Sequence, residues 1–341
     1  MTDLSAVTSF AGTARPALRD ELEKVIASAK DYGTQELHKM ITYQLGWTGE
    51  NAGPKAEGKQ LRALFCLLAC QAAGGEWKDA LPAAAAVELI HNFSLIHDDI
   101  EDNGQLRRGR PTMWKIWGEA QAINTGDAIF ALANASLLNL AETVSPEAAL
   151  EAGKLLHTTC LRLTQGQHLD IAFEDQDQVE LETYWQMVGG KTAALLAFSL
   201  EGGALCAEVD LKTRGYYRDF GYYLGMAFQV QDDILGIWGE EELTGKSTTG
   251  DLVTRKKTLP VLYGLAQDGE FAKVWSSGEI KPENAPQLAE ILHREGGRAY
   301  TQRSADRMTD LSLVALEKAD PQGEAGEILQ ETARQLLNRR E

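Results

Sequence analysis

Two runs of aspartate close apolar helical stretches in this chain. One reads Ile96-His97-Asp98-Asp99-Ile100-Glu101-Asp102, the other Phe228-Gln229-Val230-Gln231-Asp232-Asp233-Ile234-Leu235-Gly236. A charge buried without a partner costs several kcal/mol. Two carboxylate clusters at the ends of apolar runs therefore imply a shared counter-charge. A hard divalent cation such as Mg²⁺, which takes oxygen ligands, is the natural candidate. Carboxylates with Mg²⁺ in turn point to a phosphorylated ligand that completes the coordination shell. The plainer alternative for either cluster alone is a helix end whose acids face water.

Basic residues stand at matching places. Gly58-Lys59-Gln60-Leu61-Arg62 puts a lysine and an arginine at a helix start, and Arg107-Arg108-Gly109-Arg110-Pro111 follows the first aspartate run. Gly189-Gly190-Lys191-Thr192 is read as opening another helix, where free N–H groups and the dipole favour anions. Gly245-Lys246-Ser247 and Arg255-Lys256-Lys257 follow the second run. Any one of these is ordinary surface charge by itself. The stretch from Gly239 to Ser247 is not a phosphate-binding P-loop. It is one residue too long, carries Glu240, Glu241 and Glu242 where phosphates would sit, and follows no strand.

The elements that must position these groups read as helices nearly throughout. Pro16 is expected to open a helix with apolar Leu18, Leu22, Val25, Ile26 and Ala29, and residues 60–74 form a second. The run from Ala83 to about Asn103 contains no proline or glycine, and its positions His91, Leu95, Asp98 and Asp102 fall on one face. Further helices are expected near 119–142, 147–169, 178–188, 191–206, 211–238, 258–267, 287–296, 298–318 and 324–339. The stretches 46–59, 104–118 and 239–257 read as loops. No segment alternates with the period of a strand. The expectation is one all-helical domain over residues 1–341.

Composition agrees with a soluble protein. The 341 residues suffice for a sizeable core. With 33 Lys and Arg against 50 Asp and Glu the net charge is −17, which argues against nucleic acid as a partner. Cys66, Cys70, Cys160 and Cys206 lack metal-ligand spacing and read as reduced thiols of a cytoplasmic protein. No signal peptide is visible, and the apolar stretch from Leu81 to Ile96 is too short to cross a bilayer and carries Glu88.

Taken together and in order, these motifs make the chain resemble the trans-type polyprenyl synthases, the short-chain isoprenyl diphosphate synthases. The likeness runs from Gly58 to about Tyr263. It comprises Gly-Lys-x-x-Arg at 58–62, Asp-Asp-x-x-Asp at 98–102, Arg107-Arg108, Gly166-Gln167-x-x-Asp170, Gly190-Lys191-Thr192, Phe228-Gln229-x-x-Asp232-Asp233, Gly250-Asp251-Leu252 and Lys256-Lys257-Thr258-Leu259-Pro260. The resemblance implies the class I isoprenoid synthase fold, a bundle of about a dozen helices around a central cavity, usually as a homodimer. It also implies head-to-tail (1′–4) condensation of isopentenyl diphosphate with an allylic diphosphate.

The same resemblance implies residue roles. Asp98 and Asp102 would hold two Mg²⁺ ions and Asp232 a third. Arg107, Lys191 and Lys256, helped by Lys246, would grip the allylic diphosphate as its carbon–oxygen bond breaks and charge grows on the leaving group. Lys59, Arg62, His91 and Arg108 would hold isopentenyl diphosphate, and Thr192 and Gln229 would turn oxygen dipoles toward the allylic cation. Without the resemblance, His91 reads as a core histidine and Gln229 as an unremarkable helix polar group. Gln167 and Asp170 read equally well as structural supports. The chain departs from the family pattern at Gly236, where the second cluster would end in aspartate, and at Gln60 and Ala63 beside the Lys-x-x-Arg motif. Two rivals remain, a class I terpene cyclase and a non-catalytic partner subunit of a synthase. Lys59, Arg62 and Arg108 oppose the first, and the intact Asp98–Asp102 cluster opposes the second. Product length is read from the residues before Asp98. By resemblance, Phe93 at the fifth position with the small Ser94 at the fourth points to the twenty-carbon geranylgeranyl diphosphate, with farnesyl diphosphate next. Phe93 lies roughly 7.5 Å down the helix from Asp98.

Overall fold

The computed structural model describes residues 4–27, 34–176, 178–239 and 249–337. The chain is helical as expected. In order, its α-helices are α1 (Leu4–Ala27), α2 (Gln35–Gln44), α3 (Pro54–Glu57), α4 (Leu61–Ala72), α5 (Leu81–Glu101), α6 (Met113–Trp117), α7 (Glu119–Leu138), α8 (Pro146–Glu174), α9 (Leu181–Val188), α10 (Ala194–Cys206), α11 (Leu211–Trp238), α12 (Gly250–Val253), α13 (Leu259–Ala266), α14 (Glu270–Ser276), α15 (Ala285–Arg294), α16 (Gly297–Ala319) and α17 (Gly323–Leu337). They fall into two compact units. The first comprises residues 1–160, 198–217 and 319–329; the second comprises 161–197, 218–318 and 330–341.

In the first unit, α5 packs mainly on α7 and α4. Its N-terminal half is buried on every side, from Pro82 through Ile90, because four consecutive alanines let neighbouring helices approach closely. The helix ends where its apolar residues do. Asp102 caps it, with its N–H donating to the Asp98 carbonyl at 2.9 Å.

Pro16 does not open α1. It lies inside the helix. A proline there costs one backbone hydrogen bond and about 3 kcal/mol. Ala11, Ala14, Leu18, Leu22 and Val25 nevertheless form one buried stripe on both sides of it, and that burial carries the helix through.

A second correction concerns residues 104–118, which are not simply a loop. Leu106–Arg107 pairs antiparallel with Arg110–Pro111. Arg108 and Gly109 between them have φ of 53° and 76°, as a tight two-residue hairpin turn requires. Strands of two residues show no alternation in sequence, so this hairpin was invisible there.

The second unit has two apolar centres. One gathers Ile237, Leu252, Val261, Phe271, Trp275 and Leu292. The other gathers Phe173, Tyr184, Val188, Met226, Val230 and Leu259, and it underlies the site residues of this unit.

Candidate active site

In the first unit the site is built by the end of α5 and the hairpin that follows it. Asp98 and Asp99 are adjacent on the helix, so they point roughly 100° apart. Asp98 is half-buried and Asp99 buried. Arg107 bridges them, with its Nε donating to Asp99 Oδ1 at 2.8 Å and its Nη2 to Asp98 Oδ2 at 3.3 Å. Burial nevertheless pushes the Asp99 carboxyl up to about 6, against the pull of Arg107. Asp102 is exposed.

The three arginines of the hairpin do three different jobs. Arg110 is structural. It donates to the carbonyls of Tyr43, Thr48 and Glu50 and stacks 3.9 Å over the Tyr43 ring. Arg107 faces the carboxylates. Arg108, sent the other way by the turn, donates to the Ala56 carbonyl at 2.7 Å and lies against Gly58. Arg108 shares its surroundings with Arg62 at the start of α4 and with Glu88 and His91 on α5. Burial and the neighbouring Arg62, Arg108 and Arg107 guanidiniums push His91 well below its usual range. His91 is therefore a neutral hydrogen-bonding group at pH 7 and adds no third cation to the two arginines. Lys59 is exposed.

In the second unit Lys191 and Thr192 do not start a helix. Gly189–Ala193 is a π-helical segment that joins α9 to α10 without a break. The free N–H groups expected at a helix start are thus absent from this segment. The widened turn supplies what an N-terminus would not, since π segments displace side chains from regular register and recur at functional sites. Close packing holds it there. A side chain on Gly166 of α8 would overlap the backbone of Lys191, and one on Gly190 would overlap the carbonyl of Arg162. This crossing brings Asp170 onto the Lys191 ammonium.

Thr192 donates from Oγ1 to Gln229 Oε1 at 3.0 Å, and Gln229 Nε2 donates to Asp233 Oδ1 at 3.1 Å. Asp233 also accepts from the Tyr184 hydroxyl at 2.7 Å and the Leu259 N–H at 2.9 Å. It ties α9, α11 and α13 together and is buried, which pushes its carboxyl up to about 6. Tyr184 is pushed well above its usual range by burial and by Asp233, and so stays a donor. Sequence reasoning gave Asp233 and Tyr184 no such role. Their only trace was the apolar setting of both helices. Asp232, one residue earlier, is half-buried.

Gly236 makes room for a carboxylate from another element. A side chain there would collide with the carboxylate of Asp251, which fills that space. Lys256 is pulled down by burial but held above its usual range by Asp170, Asp251 and Asp233. Lys257 instead donates to the backbone carbonyls of Phe173 and Glu174. Lys246 lies outside the described residues.

Among the described residues, no three His, Cys, Asp or Glu side chains converge to hold a metal by themselves. The donors are nonetheless of the right kind. Asp98 and Asp232 are half-buried carboxylates, and hard oxygen donors suit Mg²⁺, which is commonly held by one or two carboxylates together with water and phosphate oxygens.

Comparisons with known proteins agree with the motif order. A family model described as polyprenyl synthetase matches residues 51–293. The chain is 39% identical over 281 residues to a (2E,6E)-farnesyl diphosphate synthase of Mycobacterium tuberculosis, covering 80% of this chain and 77% of that protein. It is 37% identical over 308 residues to a geranylgeranyl diphosphate synthase of the same organism, covering 88% and 87%. Among solved structures, a polyprenyl synthetase from Streptomyces coelicolor matches with a TM-score of 0.87 at 34% identity, over 98% of this chain and 100% of the other. A polyprenyl synthase from Caulobacter crescentus, complexed with calcium and isoprenyl diphosphate, matches with a TM-score of 0.80 at 28% identity, over 98% of each chain.

Proposed function

Since this chain belongs to the polyprenyl synthetase family and is a short-chain trans-prenyltransferase within it, we propose that it condenses isopentenyl diphosphate head-to-tail with an allylic diphosphate. The observation that supports this reading is a division within the first unit. Arg107 is turned onto Asp98 and Asp99, whereas Arg108 is turned away from them toward Arg62 and His91. A condensing enzyme handles two diphosphates and needs two such settings; a terpene cyclase needs one.

In this reading Arg62, His91, Arg108 and Lys59 bind isopentenyl diphosphate, with His91 as a neutral donor. Arg107, Lys191, Lys256 and Lys246 bind the allylic diphosphate, and Asp98, Asp102 and Asp232 are the ligands of three Mg²⁺ ions. Bound Mg²⁺ would neutralise charge on the departing diphosphate. Thr192 spends its proton on Gln229, which leaves the hydroxyl lone pairs free to face the allylic cation. Asp170 keeps the Lys191 ammonium in place until substrate competes for it.

The product assigned is geranylgeranyl diphosphate, with farnesyl diphosphate next. Phe93 makes an edge contact to His97 and a tilted contact to Phe130, with ring centroids 4.7 and 5.2 Å away, which supports its role as a stop. The working form is a homodimer in the cytoplasm. Exposed Ile123 and Leu138 on α7 and Leu150 on α8 support the dimer, and four cysteines outside any disulfide support the compartment. No helix among the described residues is long and apolar enough to cross a membrane.

The test is incubation with isopentenyl diphosphate, an allylic diphosphate and Mg²⁺, followed by dephosphorylation and chromatography of the prenyl alcohols. A linear all-trans twenty-carbon alcohol is expected. Cyclic hydrocarbon, or no product, would overturn the reading.

A further inference from the structure

Glu88 is an acid in the most apolar stretch of α5, between Val87 and Leu89, and it is 2% exposed. Nothing in the chemistry described above uses it. Its Oε1 accepts from Asn92 Nδ2 at 3.1 Å, one turn along the same face. Asn92 is itself fixed by donating to the Glu88 carbonyl at 2.9 Å. Oε2 is buried without a hydrogen-bond partner among the described residues, and so is Nε of Arg62.

An unsatisfied buried carboxylate oxygen is costly, and such a group persists where it serves another purpose. The purpose is visible in the charges around it. Arg62 and Arg108 are both disfavoured as cations, first by burial and then by a neighbouring guanidinium, and Glu88 is the charge that favours each of them. Arg108 reaches this place because the hairpin turn directs it there. It can lie so close only because residue 58 is glycine, since a side chain would overlap its guanidinium.

We propose that Glu88 is a positioning residue: its buried carboxyl group, fixed by Asn92 one turn before His91, makes no ion pair with Arg62 or Arg108 but biases both through space, and so sets the affinity for isopentenyl diphosphate without touching it. This rests on the reading of Arg62, His91 and Arg108 as the site of that substrate. Two guanidiniums that bind one diphosphate must stay close although they repel each other. A negative charge in their surroundings offsets that repulsion while the site is empty. Glu88 itself is held above the usual carboxylate range, by burial above all, so its charge costs the fold stability.

The test compares the wild type with Glu88→Gln, Glu88→Asp and Asn92→Ala. Glu88→Gln keeps the shape and removes the charge. It is expected to raise the KM for isopentenyl diphosphate roughly tenfold while leaving kcat and the allylic KM within about twofold. Its Tm should be no lower than that of the wild type. Calorimetric titration with isopentenyl diphosphate should show the same loss, and Glu88→Asp, which restores the charge, should recover part of it. An unchanged or lowered KM for isopentenyl diphosphate would overturn the proposal, as would a parallel rise in both KM values. If Glu88→Gln does not fold, Asn92→Ala carries the test, since it releases only Oε1 and should raise the same KM by a smaller factor. An inactive wild type would overturn the assigned function itself, whereas an active wild type with an unaffected Glu88→Gln would overturn this inference alone.

Discussion

Asp99 and Asp233 occupy the same place in two similar motifs, and the fold uses them in related but unequal ways. Each is the second of an adjacent pair, each is buried, and burial pushes each up to about 6. Neighbours on a helix cannot face the same way, so each pair divides its labour: the first aspartate stays half-buried and the second turns inward. The partners then differ. Asp99 is held by a cation, Arg107, which also contacts Asp98. Asp233 is held by neutral donors from Tyr184, Gln229 and the Leu259 backbone. A charged partner that a diphosphate would attract makes the first brace part of the binding event. Neutral donors drawn from three helices make the second brace part of the frame.

Stability separates the two most strongly. Asp233→Ala strands three donors and is expected to cost roughly 3 kcal/mol or more, read from urea unfolding. Asp99→Ala removes one partner of a partly exposed arginine and should cost about 1–3 kcal/mol, with a rise in the KM for the allylic substrate. Equal losses would erase the distinction between brace and frame. Gly236→Asp, which writes the family's third aspartate into the second motif, should lower both turnover and Tm. Its Cβ would overlap the Asp251 carboxylate, and overpacking of this kind costs about 1–3 kcal/mol. Improved turnover would show that Asp251 yields without loss.

The arginine pair sharpens the comparison from the other side. Arg107→Ala should raise chiefly the KM for the allylic diphosphate, and Arg108→Ala that for isopentenyl diphosphate. A charge-assisted hydrogen bond is worth about 1.5–3 kcal/mol, roughly a tenfold change or more in KM. Identical profiles from the two variants would mean that the hairpin does not sort the two substrates.

The smallest effect expected is on pH dependence. The pKa of Glu88 is raised in the folded protein, so its contribution to stability is full below the ordinary carboxylate range, near pH 4, and is lost as pH rises through the folded value. The Tm of Glu88→Gln relative to wild type should therefore increase with pH in thermal melts. A difference that shrinks as pH rises would reverse the sign assigned to this group.

The sequence made some of this legible. Helix α11 was read with its observed bounds despite its four glycines, because its apolar periodicity runs unbroken by proline, and α5 to within two residues at either end, because the run after Pro82 holds neither glycine nor proline. The first aspartate of each cluster and the Arg107–Arg108 pair were likewise visible. What escaped depends on contacts distant in the chain. The π segment at Gly189–Ala193 looked like a helix start because two glycines usually interrupt a helix; here Gly190 serves a close crossing with α8 and Gly189 makes room for the Tyr222 hydroxyl of α11. The hairpin was too short to alternate. Glu88 was visible as an acid in an apolar run, yet its charged neighbours, Arg62 and Arg108, arrive from α4 and the hairpin. Asp233 carried no assigned role in the sequence, because its partners Tyr184 and Leu259 arrive from α9 and α13.

Turnover of Asp98→Ala, measured with isopentenyl diphosphate, an allylic diphosphate and Mg²⁺ beside a melting curve of the same protein, is the most direct test of the division between outward and inward aspartates. The account predicts a loss of about a thousandfold or more with a Tm near that of the wild type. Near-normal turnover in a well-folded Asp98→Ala protein would contradict it.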